Sequence, residues 1–147
     1  MKTVSQILAG KASQEVHSIM PDAPVLDAIR RMGEKGIGAL LVMEGEQVIG
    51  IVTERDYARK VILQGRSSRD TPVSAIMTAP VMYVRPDQTN EECMALMTEN
   101  RLRHLPVMEQ GGVVGLISIG DLVKDIISEQ RFIIEQLVHY IHGHRDV

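Results

Sequence analysis

Two short strings hold the residue types best suited to chemistry. GIVTERD at 50–56 and GLISIGD at 115–121 each run an apolar stretch into a hydroxyl, Thr53 or Ser118, and place a carboxylate, Asp56 or Asp121, three residues later. That spacing is a helix-start signature, in which hydroxyl and carboxylate satisfy backbone N–H groups that the first turn leaves unpaired. The same residues suit a second task. A carboxylate held rigidly in a helix's first turn has two acceptor oxygens to offer the O–H groups of a bound molecule. Capping alone would account for a single such string, but its recurrence after the same glycine-apolar run strengthens the case for a ligand.

The elements that must position these strings are repeated as well. Sliding the chain against itself by 65 positions (121 − 56) aligns it without a gap from Val16 to Ile62, and sets Val81, Pro86, Asp87, Met97, Val107, Gly115 and Asp121 on Val16, Pro21, Asp22, Met32, Val42, Gly50 and Asp56. Each copy opens with a short extended piece (16–19; 81–84), passes Pro-Asp, and starts a helix near Pro24 or Thr89, the latter in capping-box spacing with Glu92. Ala28, Ile29 and Met32 correspond to Cys93, Met94 and Met97, three positions on one helical face. Gly36 is a natural helix stop, for which the second copy substitutes Arg101. Two apolar runs joined by EGEQ (44–47) or EQGG (109–112) predict a hairpin, and a second helix begins after Thr53 or Ser118.

The expected fold class is therefore α/β (α+β), built from two β-α-β-β-α repeats. Half a chain of this size buries its apolar faces poorly, so the copies should pack about a pseudo-twofold axis with two related clefts between them. The boundaries fall at 1–65 for the first repeat with its N-terminal segment, 66–80 for a linker, and 81–147 for the second repeat with an extended C-terminal helix. Within the linker, Thr71-Pro72 reads as the cap and first residue of a helical turn. PVSAIM at 72–77 has a counterpart in TVSQIL at 3–8. Leu122, Ile126, Ile133, Leu137 and Ile141 lie at roughly helical spacing, a stripe for the body of the protein or for a dimer partner.

Composition narrows the function. A net charge of -3 gives no general attraction to phosphate backbones, and 3% aromatic residues leave few platforms for stacking bases, so nucleic acid is a poor partner. The one cysteine, Cys93, excludes an intrachain disulfide and a thiolate metal cluster and favours a reducing compartment. The N-terminal residues lack an apolar core and the longest apolar run, at 39–43, is too short for a bilayer, so no membrane association and a cytoplasmic location are expected.

Taken together, the two Gly-apolar-x-apolar-Thr/Ser-x-x-Asp strings, RHLPV at 103–107 and the internal repeat resemble the CBS-domain pair, or Bateman module, over nearly the whole chain. The resemblance implies a sensor that binds adenosine nucleotides (AMP, ADP, ATP or NAD(H)) between its copies, without enzymatic activity. It implies that Asp56 and Asp121 receive the ribose hydroxyls, that Thr53 and Ser118 lie near ribose or phosphate, and that Arg103 and His104 hold phosphate. The elementary chemistry agrees. A ribose offers two neighbouring O–H donors that suit one ionised carboxylate, and a helix N-terminus suits phosphate oxygens. Pro106, unable to donate to a ladder, suggests a strand edge facing a cleft. The first copy has Gly38 and Ala39 where the second has Arg103 and His104, so the clefts should differ in charge, with Arg55 a possible compensation.

Plainer readings stand beside these. His104 is equally well a satisfied half-buried histidine, and Arg103 a solvated residue. His139, His142 and His144 lack a carboxylate or thiol to complete a metal set, and no metal is expected. GKAS at 10–13 has Ser5 where a phosphate-binding loop needs glycine, and Cys93 reads as core. The alternative to a nucleotide sensor is a ligand-free scaffold that dimerises through its helices, and either would serve a regulated protein partner that the sequence does not identify.

Overall fold

The structure, a computed structural model, describes residues 2–11 and 15–145, the last five as backbone only. Helix α1 (Val4–Ala9) starts in a capping box, with Gln6 N–H donating to Thr3 Oγ1 at 3.3 Å and Thr3 N–H to Gln6 Oε1 at 2.9 Å. The first copy follows as β1 (Ser18–Ile19), α2 (Val25–Lys35), β2 (Ala39–Glu44), β3 (Gln47–Thr53) and α3 (Glu54–Tyr57), the last running into a π-helical turn at Ala58–Ile62. The second is α4 (Asn90–Asn100), β4 (His104–Glu109), β5 (Gly112–Ser118) and α5 (Ile119–Arg145). β1 pairs in parallel with β2, which is antiparallel to β3, while β4 and β5 form the second hairpin.

The extended piece expected at 81–84 shrinks to a single parallel bridge, Val84 to Val107, the counterpart of the Ile19 to Val42 pair in the first copy. Both hairpins carry a register shift at the same place, between Val42 and Met43 and between Val107 and Met108. Helix α2 ends at Gly36 with φ 66, and α4 ends the same way at Arg101 with φ 55, so the left-handed stop survives the loss of its glycine. The linker turn begins one residue later than expected. Pro72 is extended (ψ 152) and caps a 3-10 turn at Val73–Ala75, because Val73 N–H is committed to Ala23 O at 2.8 Å.

The two segments that resemble each other, 2–8 and 71–77, dock by one set of bonds, each against the copy it does not precede on the shorter path. Val4 N–H donates to Gln88 O, Ser5 N–H to Pro86 O, and Asn90 N–H to Lys2 O; 69 positions on (73 − 4), Val73 donates to Ala23, Ser74 to Pro21, and Val25 to Thr71. Thus α1 buries Val4 and Ile7 in the core of the second copy with Val84, Cys93 and Leu105, whereas Val73 and Ile76 enter the core of the first with Val25, Met32 and Leu40. This explains the glycine that opens each string. A Cβ on Gly50 would lie 2.5 Å from Met77 Sδ, and one on Gly115 would lie 2.8 Å from Leu8 Cδ1. A third cluster, Ala39, Leu41 and Ile51 with Val113 and Leu116, joins the two hairpins across the seam.

Helix α5 outlasts its counterpart by several turns. Leu122 is fully buried, but Ile133 and Leu137 of the expected stripe are exposed, and Ile141 lies outside the described side chains. Among the described residues no helix is long and apolar enough to cross a membrane.

Candidate functional site

Each copy builds the same backbone frame around its acid. The first amide of the helix donates to a carbonyl at the start of the neighbouring strand, Glu54 N–H to Gly38 O at 3.1 Å and Ile119 N–H to Arg103 O at 2.8 Å. Thr53 N–H donates to Asp56 Oδ2 at 3.0 Å and Asp56 N–H to Thr53 Oγ1 at 3.1 Å. Ser118 N–H likewise donates to Asp121 Oδ2 at 2.8 Å, and Asp121 N–H to Ser118 Oγ at 3.1 Å. Both acids therefore cap their own helices with one oxygen, and any ligand must be received mainly by the other.

The copies part company at that other oxygen. Asp56 Oδ1 lies 3.3 Å from Lys60 Nζ, on the next turn of the same helix, and Lys60 also donates to Ile76 O at 2.9 Å. The position equivalent to Lys60 is Asp125 (60 + 65), so α5 supplies no cation there. Asp121 is met instead by Lys11 from the N-terminal segment, whose Nζ reaches Asp121 Oδ2 at 2.9 Å and Leu116 O at 2.9 Å. Lys11 thus shares Oδ2 with Ser118, and Asp121 Oδ1 takes no part in these contacts. Burial alone would raise the Asp121 carboxyl, but the Ser118 and Lys11 bonds outweigh it and hold it below the ordinary carboxylate value.

A cavity of about 460 Å³ opens beside Asp121, within the range of small-molecule sites. The N-terminal segment contributes Lys11 to its wall, the second copy Asp121, Lys124 and Asp125, and the first copy His17 and Lys35. Asp125 is nearly buried and accepts from Asn90 Nδ2 at 2.9 Å, with Lys2 Nζ 3.2 Å from its other oxygen.

Other residues singled out in the sequence fall as follows. Gly38 and His104 meet across the seam, where a Cβ on Gly38 would lie 3.8 Å from His104 Cε1 and 2.9 Å from Glu54 Oε1. Burial pulls the His104 imidazole below its ordinary value, Asp121 opposes that, and Lys11 and Arg103 add to it, so the ring is neutral near pH 7. Arg103 is exposed and Arg55 half-buried. Ala39 is fully buried in the seam and offers no polar surface. Pro106 is buried in β4 with its carbonyl accepting from Val84 N–H at 3.0 Å; its missing donor lies on that outer side, away from the β5 ladder. Burial, with Glu92 adding to it, pushes the Cys93 thiol up to about 11, as suits an inert core residue. Among the described residues no group of three His, Cys, Asp or Glu is placed to hold a metal; the His142 and His144 side chains lie outside them.

Sequence reasoning missed Lys11, Asn90 and Asp125. Lys11 is 110 positions from Asp121, and its local pattern pointed only to a rejected phosphate loop. A signal did exist for the other two, since the 65-residue shift sets Asn90 on Val25 and Asp125 on Lys60.

Comparison with known proteins places this geometry. The CBS-domain family model matches residues 4–62 and 73–128. The CBS domain-containing protein CBSX3, mitochondrial, of Arabidopsis thaliana is 41% identical over 149 residues, which cover 96% of this chain and 72% of that protein. A solved protein with CBS domains from Burkholderia ambifaria MC40-6 is 58% identical, with a TM-score of 0.85 over 88% of this chain and 96% of that one. At 21% identity the fold alone is shared with the CBS domain pair of protein MJ0100, solved in complex with 5′-methylthioadenosine and S-adenosyl-L-methionine (TM-score 0.77, 88% of this chain and 98% of that one).

Proposed function

This chain belongs to the CBS-domain family, and from that premise we propose that it is a regulatory module that binds an adenine nucleotide (AMP, ADP, ATP or NAD(H)) in the seam between its copies. The observation that carries the reading is the cavity beside Asp121, which joins a pinned carboxylate to lysines from three parts of the chain. Asp121 Oδ1 receives a ribose hydroxyl, and the second hydroxyl is reached when Lys11 turns from the carboxylate toward phosphate. Thr53 and Asp56 form the second site of the same kind, weaker because Lys60 must first release Asp56 Oδ1. Arg103 and His104 edge the seam on the phosphate side. That the same fold in MJ0100 holds two adenosine compounds supports the ligand class.

The role is binding rather than catalysis. The acids act as acceptors and the lone thiol is buried and protonated. Output requires that the nucleotide bind one state of the module better than another, which a partner protein then reads. The module works as a homodimer, and its reduced, buried cysteine suits the cytoplasm.

A thermal-shift panel of AMP, ADP, ATP, NAD, NADH and S-adenosylmethionine tests this. A ligand at about 100 times its Kd adds roughly 2.7 kcal/mol, raising the melting temperature by about 5–10 °C. No response to any of them removes the nucleotide reading. What then stands is the scaffold reading, which the uncovered apolar side chains of α5 favour.

A further inference from the structure

From Val123 onward, α5 carries an apolar surface that the body leaves exposed. Val123, Ile127, Ile133, Ile134 and Leu137 are all exposed, the last three by more than half. At 100° per residue they share one arc of the helix, bordered by exposed Val138, while the opposite face carries Lys124, Arg131, Glu135 and His139 together with one exposed aromatic ring, Phe132. The body cannot cover the part of this arc beyond residue 128. The family match ends at residue 128, and α5 continues unbroken to Arg145, about 25 Å farther at 1.5 Å per residue. A membrane surface is a poor match too, since the polar face mixes both signs of charge instead of being rich in Lys and Arg.

The order of residues along the arc points to the occupant. Its apolar positions are symmetric about Gln130 from 123 to 137: Ile127 and Ile133 lie three positions away, Ile126 and Ile134 four, Val123 and Leu137 seven. We propose that α5 pairs antiparallel with α5 of a second copy of this chain, centred on Gln130. Val123 of each chain then comes level with Leu137 of the other, Ile126 with Ile134, and Ile127 with Ile133. Gln130, the one polar residue in the seam, meets its own counterpart, and a side-chain amide both donates and accepts. A twofold pair is self-complementary in this way, whereas an unrelated partner has no need of a palindromic surface. The exposed apolar side chains of the arc amount to on the order of 500 Å² per chain, so two chains together reach the roughly 1,000 Å² that a specific interface must clear. This pairing names the surface behind the homodimer above and needs no nucleotide.

The full chain is tested by sedimentation and by thiol crosslinking, both without ligand. The wild type sediments as two chains at micromolar concentration, and Ile134→Glu with Leu137→Glu sediments as one, its melting temperature within a few degrees of wild type. Val123→Cys with Leu137→Cys gives a covalent dimer with a short bis-maleimide, and each single variant gives none. Within one chain those two positions are about 21 Å apart, too far for the reagent to close, and buried Cys93 stays silent. A monomeric wild type, with or without capture by anionic vesicles, overturns the proposal. So does a dimer that survives the two glutamates, or a dimer crosslinked by Val123→Cys alone, which would make the pair parallel.

Discussion

The two repeats share their backbone bonds and differ in who supplies the cation beside the acid. In the first, Lys60 comes from the acid's own helix and closes the second carboxylate oxygen. In the second, that helical position is Asp125, and Lys11 arrives from a segment 110 positions away to bond Asp121 Oδ2, beside a cavity that Asp121 lines. A duplicated frame fixes where an acid sits, then, but not whether a ligand can use it. That depends on side chains added to the frame one at a time.

The largest test of this difference is binding. Removing a charge-assisted pair of hydrogen bonds loses about 1.5–3 kcal/mol, so Asp121→Ala lowers nucleotide affinity on the order of 10- to 100-fold by calorimetry, while Asp56→Ala changes it less than about threefold. Equal losses would show the copies to be equivalent. Next is Asn90, whose amide supports the nearly buried Asp125. Asn90→Ala leaves that carboxylate short of a donor and costs about 2 kcal/mol in urea unfolding, whereas Val25→Ala at the equivalent place costs about 1–2 kcal/mol by lost apolar burial alone. The two are told apart by adding Asp125→Asn, which recovers stability only in the Asn90 variant.

A smaller contrast lies at the helix stops. Arg101 holds φ 55 where Gly36 holds φ 66 without strain, so Arg101→Gly stabilises by up to about 1 kcal/mol and Gly36→Ala destabilises by about as much. The smallest effect concerns pH and only the second copy. Because the folded state depresses His104, the unfolded chain takes up a proton first as pH falls below the ordinary 6.5, and stability declines from there toward the depressed value. Urea midpoints between pH 7.5 and 5.5 should flatten in His104→Gln. The depressed Asp121 carboxyl acts lower, its contribution being full above the ordinary 3.8 and lost as pH falls through its folded value.

Much of the frame was legible beforehand because duplication writes it twice. Pro24 and Thr89 mark helix starts, Gly36 a stop, and the shared register of the hairpins follows from Val42, Gly50, Val107 and Gly115. The acids were legible as a pair, although capping and the ligand binding proposed for them look identical in sequence. The partners of those acids were not legible. Lys11 is brought to Asp121 only by the docking of α1, a nonlocal event that no periodicity encodes, and the glycine of each string answers to Leu8 or Met77 from a distant segment. The Asn90–Asp125 contact shows only as two polar intrusions in an apolar alignment, which a sequence presents as noise.

Helix α5 has its first turns in the cavity wall, through Asp121, Lys124 and Asp125, and its last turns far outside the body. It is one continuous rod, so a tilt of about 5° where a ligand presses would sweep the tip by roughly 2 Å, on a lever some 25 Å long. A ligand in the pocket would then be felt at a distance by mechanical advantage, with no loop needing to reorder along the way.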